Sequence, residues 1–462
     1  MNMSRIKTPP IGMGILMIVG PSLVWCSEFI GSGEVILATR TGAILGNGIL
    51  WAVVSGVFLK FWIGMSGARY TVATGEGMID MISRMPGPRN WGVWIILIAQ
   101  FFGATVAIGS LATAAGIFLS NLLPVNAKVC GWAVAIFALG VSWSGEFKIL
   151  KVIMSTLVFV VIVGVLYVSV YVFPGWKEIF RGLIPGLPAV PYWAIEKGVD
   201  ANPWKEILPL IGWGAGGFAS QVWYSYWIMG AGYGMTVKNQ YGKSADTVLL
   251  KSINAEEARK IKGWFRVVYT DASIAMVIGV VITVCFVLAG SGVLRPLHLA
   301  PEGEKLAIDL SNIFASKWGR FGGFMFMLGG TAALISTQVG QLAGWPRLLA
   351  DSFRICIPRF GNIPWKKQYR GFLLFFFFTN MTIVFTLGLK PVALLKTGAI
   401  LDGLLLTPLQ ALWVFAGIFL VQKQLFSKES SEILKPHWIF ALMLFLAFIV
   451  FTYFCFWQIP LF

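Results

Sequence analysis

Apolar runs of membrane-crossing length recur along almost the whole chain, and this pattern limits the possible folds more than any motif does. A helical crossing of the hydrocarbon core takes roughly 20 apolar residues, and about eleven such stretches can be placed here. With 57% hydrophobic and 12% charged residues among 462, the sequence reads as an all-α polytopic membrane protein. Its 36 Lys and Arg against 20 Asp and Glu give a net charge of +16. The basic residues lie in short loops rather than on one face, so they serve orientation in a bilayer and not nucleic-acid binding. Arg5 and Lys7 precede an apolar stretch too long for a signal peptide and without a small-residue cleavage pattern, so it is read as a retained first span. Cysteines 26, 130, 285, 356 and 455 are odd in number and mostly within apolar segments, so no disulfide framework is expected. Nothing in the sequence calls for a cofactor.

The expected spans lie near 12–45, 48–70, 91–119, 128–145 and 150–173, then near 207–234, 264–290, 319–345, 370–389 and 392–421, with an extra helix at 438–457. Residues 1–462 thus form a single transmembrane domain, with repeat one at about 12–173 and repeat two at about 207–421. Five spans return the chain to the opposite side, so the second set starts inverted, which is how an inverted repeat arises. The loop at 235–262 carries Lys238, Lys243, Lys251, Arg259, Lys260 and Lys262, and the loop at 346–369 carries Arg347, Arg354, Arg359, Lys366 and Lys367. The positive-inside rule puts both in the cytoplasm. The amino terminus is then inside, and the 174–206 loop and the carboxyl terminus are outside, in what is expected to be a prokaryotic plasma membrane. The segment 255–266, AEEARKIKGWFR, reads as an amphipathic helix lying on the anionic inner leaflet.

Within span one, Gly31-Ser32-Gly33 precedes Glu34, and span six contains Gly212-Trp213-Gly214-Ala215-Gly216-Gly217. Each internal glycine costs a helix about 1 kcal/mol against alanine, so corresponding helices of the two repeats are expected to be broken. Unwound backbone survives at membrane depth only where protein or a polar cavity satisfies it, which predicts a central site between the breaks. An ionisable residue deep in a span costs about 3 kcal/mol on insertion scales, and Glu34 is therefore expected to line that site. Gly31, Ser32, Gly33, Glu34, Ser220 and Gln221 are the candidate binding residues, with Glu34 as the candidate metal ligand. Glu28, Tyr224, Gln338, Gln341 and Asp402 are candidates for the pathway or a gate. Arg40 is expected to snorkel to the headgroups, and Asp402 and Lys396 to form an internal ion pair or an outer gate. Trp223 and Trp227 read as interface anchors.

The order of segments resembles the Nramp family of divalent-metal transporters, whose broken-helix inverted-repeat fold is shared with leucine-type and amino-acid transporters. GPSLVWCSEFIGSGEVILATRTGA (20–43) is similar to that family's first span, RYTVATGEGMIDMI (69–82) to the end of its second, and GGTAALISTQVGQLAG (329–344) to its eighth. The family's Asp-Pro-Gly-Asn in span one is replaced by Gly31-Ser32-Gly33-Glu34, and its Met-Pro-His-Asn in span six aligns with Phe218-Ala219-Ser220-Gln221. The thioether that suits a soft transition metal is gone, and both histidines, 298 and 437, lie in loops. The acidic residues that the resemblance implies in span three have no counterpart in IAQFFGATVAIGS (98–110), and the span-six histidine position reads Ser225. The resemblance thus implies a transporter of a small cationic substrate without the family's usual ligands or proton wire. Magnesium suits what remains, because it keeps several waters and needs only one or two carboxylates.

Two other readings stand beside it. Gly-Ser-Gly also resembles the first-span motif of amino-acid transporters of the same superfamily, and Glu34 would then receive the amine of an amino acid or organic cation. A non-transporting membrane sensor is the other. An enzyme is not expected, since no His, Cys or Asp cluster has metal or nucleophile spacing and no sizeable soluble domain is present. The expected partners are a small-molecule or ion substrate and the lipid bilayer.

Overall fold

The computed structural model describes residues 6–238, 241–300, 305–386 and 391–459, without the side chains of 238, 305–318 and 391–394. Arg5, the Lys238 side chain and the expected end of span nine at 387–389 lie outside the described residues.

Eight helices among these residues are long and apolar enough to cross a bilayer. They supply spans two, three, five and seven to eleven. Spans one, four and six bring the number to 8 + 3 = 11, and they escape a length criterion for physical reasons. Span four is short, at Ala127–Ser142. Span one is broken into Pro21–Phe29 and a π-helical turn, Gly33–Ala38, that runs into Thr39–Leu45. Span six is broken into Trp204–Trp213 and Phe218–Ala231. Both breaks fall at the glycine clusters. At the second, Ala215 and Gly216 adopt φ of 56° and 75°, which no continuing helix tolerates.

The chain is an all-α bundle of two five-span repeats followed by one further helix, and the repeats interlock pairwise. Span one packs on span six, span two (Leu50–Thr74) on span seven (Ala255–Ala289), span three (Trp91–Ser120) on span eight (Lys305–Cys356), and span four on span nine (Trp365–Thr386). Span five (Phe147–Tyr171) runs along span eight, and span eleven (Trp438–Tyr453) closes over spans two and ten.

Three expectations about the elements are corrected. Residues 255–266 do not form a separate surface helix. They are the first turns of span seven, started by a capping box in which Asn254 accepts from the Glu257 amide while Glu257 accepts from the Asn254 amide. Span ten is not continuous, because Pro391–Gly403 stops before a second helix, Thr407–Ala416, that carries Pro408 in its first turn. Trp223 and Trp227 are not interface anchors. They are 1% and 0% exposed, and Trp223 meets Trp345 of span eight edge to face at 4.8 Å between ring centres.

Candidate functional site

The two breaks touch. A Cβ on Gly33 would stand 2.6 Å from the Trp213 Cβ, so only glycine lets the returning half of span one lie against the end of the first half of span six. Each break exposes orphan amides at one helix start and orphan carbonyls at one helix end. A side chain of the protein itself bonds to each of the four sets.

Glu34 accepts a 2.9 Å hydrogen bond from the Gly31 amide, which places the carboxylate at the amino end of its own half-helix. Asp402 of span ten does the same for span six, accepting from the Ala219 amide at 3.3 Å and from Gln100 Nε2 at 2.8 Å. Gln100 Oε1 in turn accepts from Trp345 Nε1 at 2.7 Å. At the other polarity, Ser336 and Thr337 of span eight donate to the Ser27 and Ile30 carbonyls at 2.7 and 3.3 Å, closing the first half of span one. Lys60 of span two closes the first half of span six, donating to the Ile211, Gly212 and Gly216 carbonyls at 3.1, 2.5 and 2.9 Å.

Glu28 faces inward. Its Oε2 accepts from Ser220 Oγ at 2.5 Å, and Trp25 Nε1 donates to the same hydroxyl at 3.1 Å. Glu28 is within electrostatic reach of Glu34 and Asp402, as Lys60 is of the same two carboxylates. Gln221 folds back to donate to the Ala215 carbonyl at 2.7 Å, while its Oε1, against Gly64 of span two, has no partner. Gln338 has neither amide atom satisfied, and Gln341 Oε1 is likewise unsatisfied. These two follow Thr337, which holds the break of span one, and Gly340, which packs on Glu28. Tyr224 stacks on Trp25 at 4.2 Å and donates to Asp271 of span seven at 2.8 Å. Asp271 also accepts from the Gly20 and Ser22 amides at 3.2 and 2.9 Å, capping the start of span one. Among the described residues, no three His, Cys, Asp or Glu side chains form a ready-made metal cage.

Both ends of this centre are shut. At one end, Glu206 at the start of span six accepts from Arg40 Nε and Nη2 at 3.2 Å each and from Lys396 Nζ at 2.8 Å, tying spans one, six and ten together. Arg40 therefore does not snorkel, being only 2% exposed, and Lys396 pairs with Glu206 rather than Asp402. At the other end, Arg84 binds Glu76 at 2.7 Å, and Arg354 bridges Asp80 at 2.9 Å and Asp351 at 3.1 Å. Hydrogen bonding to Glu76 raises the Arg84 pKa above its ordinary value, so the guanidinium stays charged. Tyr226 of span six donates to Asp351 at 2.9 Å, and Ser244 to Asp80 at 2.6 Å.

The structure brings Gly31, Ser32, Gly33, Glu34, Glu28, Ser220, Gln221 and Asp402 to the two breaks, with Tyr224 one layer away. It adds Lys60, Gln100, Ser336, Thr337 and Glu206, which the sequence reading passed over. A lone lysine in the middle of LWAVVSGVFLKFWIG, in a span otherwise apolar at that depth, was the signal for Lys60.

Comparison with known proteins agrees with the fold. Residues 22–195 match the family described as natural resistance-associated macrophage protein-like, Nramp. An uncharacterised protein of Pasteurella multocida is 22% identical over 390 residues, 78% of either chain. A crystal structure of the manganese transporter of Eremococcus coleocola superposes with a TM-score of 0.68 over 99% of this chain and 92% of that one, at 14% identity. MhsT in complex with L-phenylalanine superposes with a TM-score of 0.56 over 96% and 98% of the two chains, also at 14% identity. Across residues 22–195 the chain is thus similar in sequence to the Nramp-like family, and over nearly its whole length it shares the fold of the Eremococcus coleocola manganese transporter.

Proposed function

We propose that this protein is a membrane transporter, not an enzyme, and that it moves a small cation by alternating access through the centre between the breaks of spans one and six. The observation that carries the reading is charge. Glu28, Glu34 and Asp402 bring three buried carboxyl groups to the two breaks, against the single amine of Lys60. Acidic groups in that excess ionise in a buried centre only with a compensating charge, and a divalent cation supplies it in one particle. The kinship with a family that contains a manganese transporter supports a metal ion as cargo.

The ligand chemistry favours a hard ion. Carboxylates, carbonyls and the amides of Gln221, Gln338 and Gln341 offer oxygen, whereas thioether and imidazole are absent from the breaks. Magnesium retains several waters and is held by one or two carboxylates, so it does not need the three-ligand cage that a dehydrated transition metal would. Glu34 and Glu28 are the first groups to meet it, with Ser220, Gln221 and the backbone of Gly31 to Gly33 completing the wall. The orientation follows the basic loops: the Lys7 carbonyl accepts from Trp264 of span seven, and Asp80 accepts both from Ser244, ahead of span seven, and from Arg354 at the end of span eight, so the amino terminus, the start of span seven and the end of span eight share one end. That end is cytoplasmic and the carboxyl terminus outside, in a prokaryotic plasma membrane.

The test is uptake into proteoliposomes that hold a magnesium-sensitive dye and, in parallel, a pH dye. Magnesium entry that saturates, disappears in Glu34→Gln and leaves the lumen unacidified supports the reading. Uptake of an amino acid or organic amine with no divalent flux would replace it with the amine reading. Lumen acidification coupled to uptake would show that a proton path exists despite the apolar span three.

A further inference from the structure

We propose that the carbonyl seat at the break of span six is a monovalent-cation site and that the protein fills it permanently with its own Lys60 ammonium. The Ile211 and Gly212 carbonyls are the orphans of a helix end, since the next amides turn elsewhere: Gly214 N donates to Leu210 and Gly216 N to Trp213. With the Gly216 carbonyl they converge on one point, which Lys60 Nζ occupies at 2.5 to 3.1 Å. The negative end of a helix and three bare carbonyls are the coordination a small monovalent cation takes. Phe451 of span eleven covers the fourth side, its ring centre 5.6 Å from Nζ. Lys60 is 1% exposed, so the seat and its occupant are enclosed by protein.

The consequence is a division of labour between two charges. A transporter built on broken helices needs positive charge at this helix end in every state in which the break persists. A diffusible ion would make the protein dependent on its concentration. A tethered ammonium supplies the same charge at no binding cost and leaves only one cation position, beside Glu28 and Glu34, for exchange with solution. The inference stands on the geometry of span six and does not depend on which cargo is carried.

The test is the thermal stability of detergent-purified wild type, Lys60→Ala and Lys60→Met in the chloride salts of ammonium, methylammonium, sodium, potassium and tetramethylammonium. Lys60→Ala vacates the seat, so at least one of the four small cations should raise its melting temperature saturably by several degrees, and tetramethylammonium should not. Wild type should not respond to the series. Lys60→Met refills the volume without charge and should not respond either. Should Lys60→Ala be too unstable to purify in tetramethylammonium, its recovery in the small cations is the readout. A Lys60→Ala variant indifferent to all five salts in both stability and recovery, or a wild type that responds as strongly as the variant, would overturn the proposal. These outcomes are separate from the uptake assay, which reports on the exchangeable position.

Discussion

The triad of Arg40, Glu206 and Lys396 ties the second half of span one to spans six and ten, so Glu206→Gln is the sharpest single perturbation of closure. The carboxylate accepts three charge-assisted bonds, at 3.2, 3.2 and 2.8 Å, and is 4% exposed, while Arg40 is 2% exposed. Removing one partner of a buried ion pair costs about 3 to 5 kcal/mol, because the remaining charge is left uncompensated. Glutamine keeps an acceptor oxygen and nearly the same volume, and Lys396 can turn to water, so the lower figure applies. At about 1.4 kcal/mol per factor of ten, a loss of about 3 kcal/mol from the closed form shifts the opening equilibrium on the order of 100-fold. Ser32, 4% exposed at the break, reports that opening when replaced by cysteine. In detergent, the rate at which Ser32→Cys reacts with a charged thiol reagent, resolved from the native cysteines by mass spectrometry, should rise on the order of 100-fold when Glu206→Gln is added. A melting curve checks that the double variant is folded at the labelling temperature. A lowered melting temperature with an unchanged labelling rate would mean that the triad only holds the bundle together, and the gate argument would be refuted.

Asp271→Asn keeps one acceptor oxygen but loses charge where Gly20, Ser22 and Tyr224 converge, and it should lower stability by about 1 to 3 kcal/mol; an unchanged melting temperature would show that the start of span one needs no carboxylate. Ala215 is held at a left-handed φ of 56°, so Ala215→Gly should stabilise the protein by about 1 kcal/mol. A destabilised variant would indicate that the Ala215 methyl packs more than its backbone strains.

Both breaks were legible because glycine clusters and a misplaced carboxylate interrupt otherwise apolar helices. What each carboxylate does was not, because the answer is set by partners far along the chain. Asp402 belongs with Gln100 and Ala219, 302 and 183 residues away, and Glu206 with Arg40, 166 residues away. The expected pairing of Lys396 with Asp402 fails on geometry that six residues already imply. Six positions on a helix of 3.6 residues per turn are far from a whole number of turns, so the two side chains leave on different faces. Trp223 and Trp227 were misplaced because a tryptophan near the end of an apolar run marks a lipid interface only if the run faces lipid. The second half of span six instead lies enclosed among spans one, two and eight.

The central claim, that the carboxyl-rich centre between the two breaks holds a divalent cation, is tested most directly by melting detergent-purified protein in rising magnesium, manganese and calcium, with wild type and Glu34→Gln side by side. The account predicts a saturable rise for wild type, about 2.7 kcal/mol at 100 times the dissociation constant. In Glu34→Gln, folded but short of one charge at Gly31, that rise should be absent. A wild type that no divalent cation stabilises, or a Glu34→Gln variant stabilised as much as wild type, would contradict it.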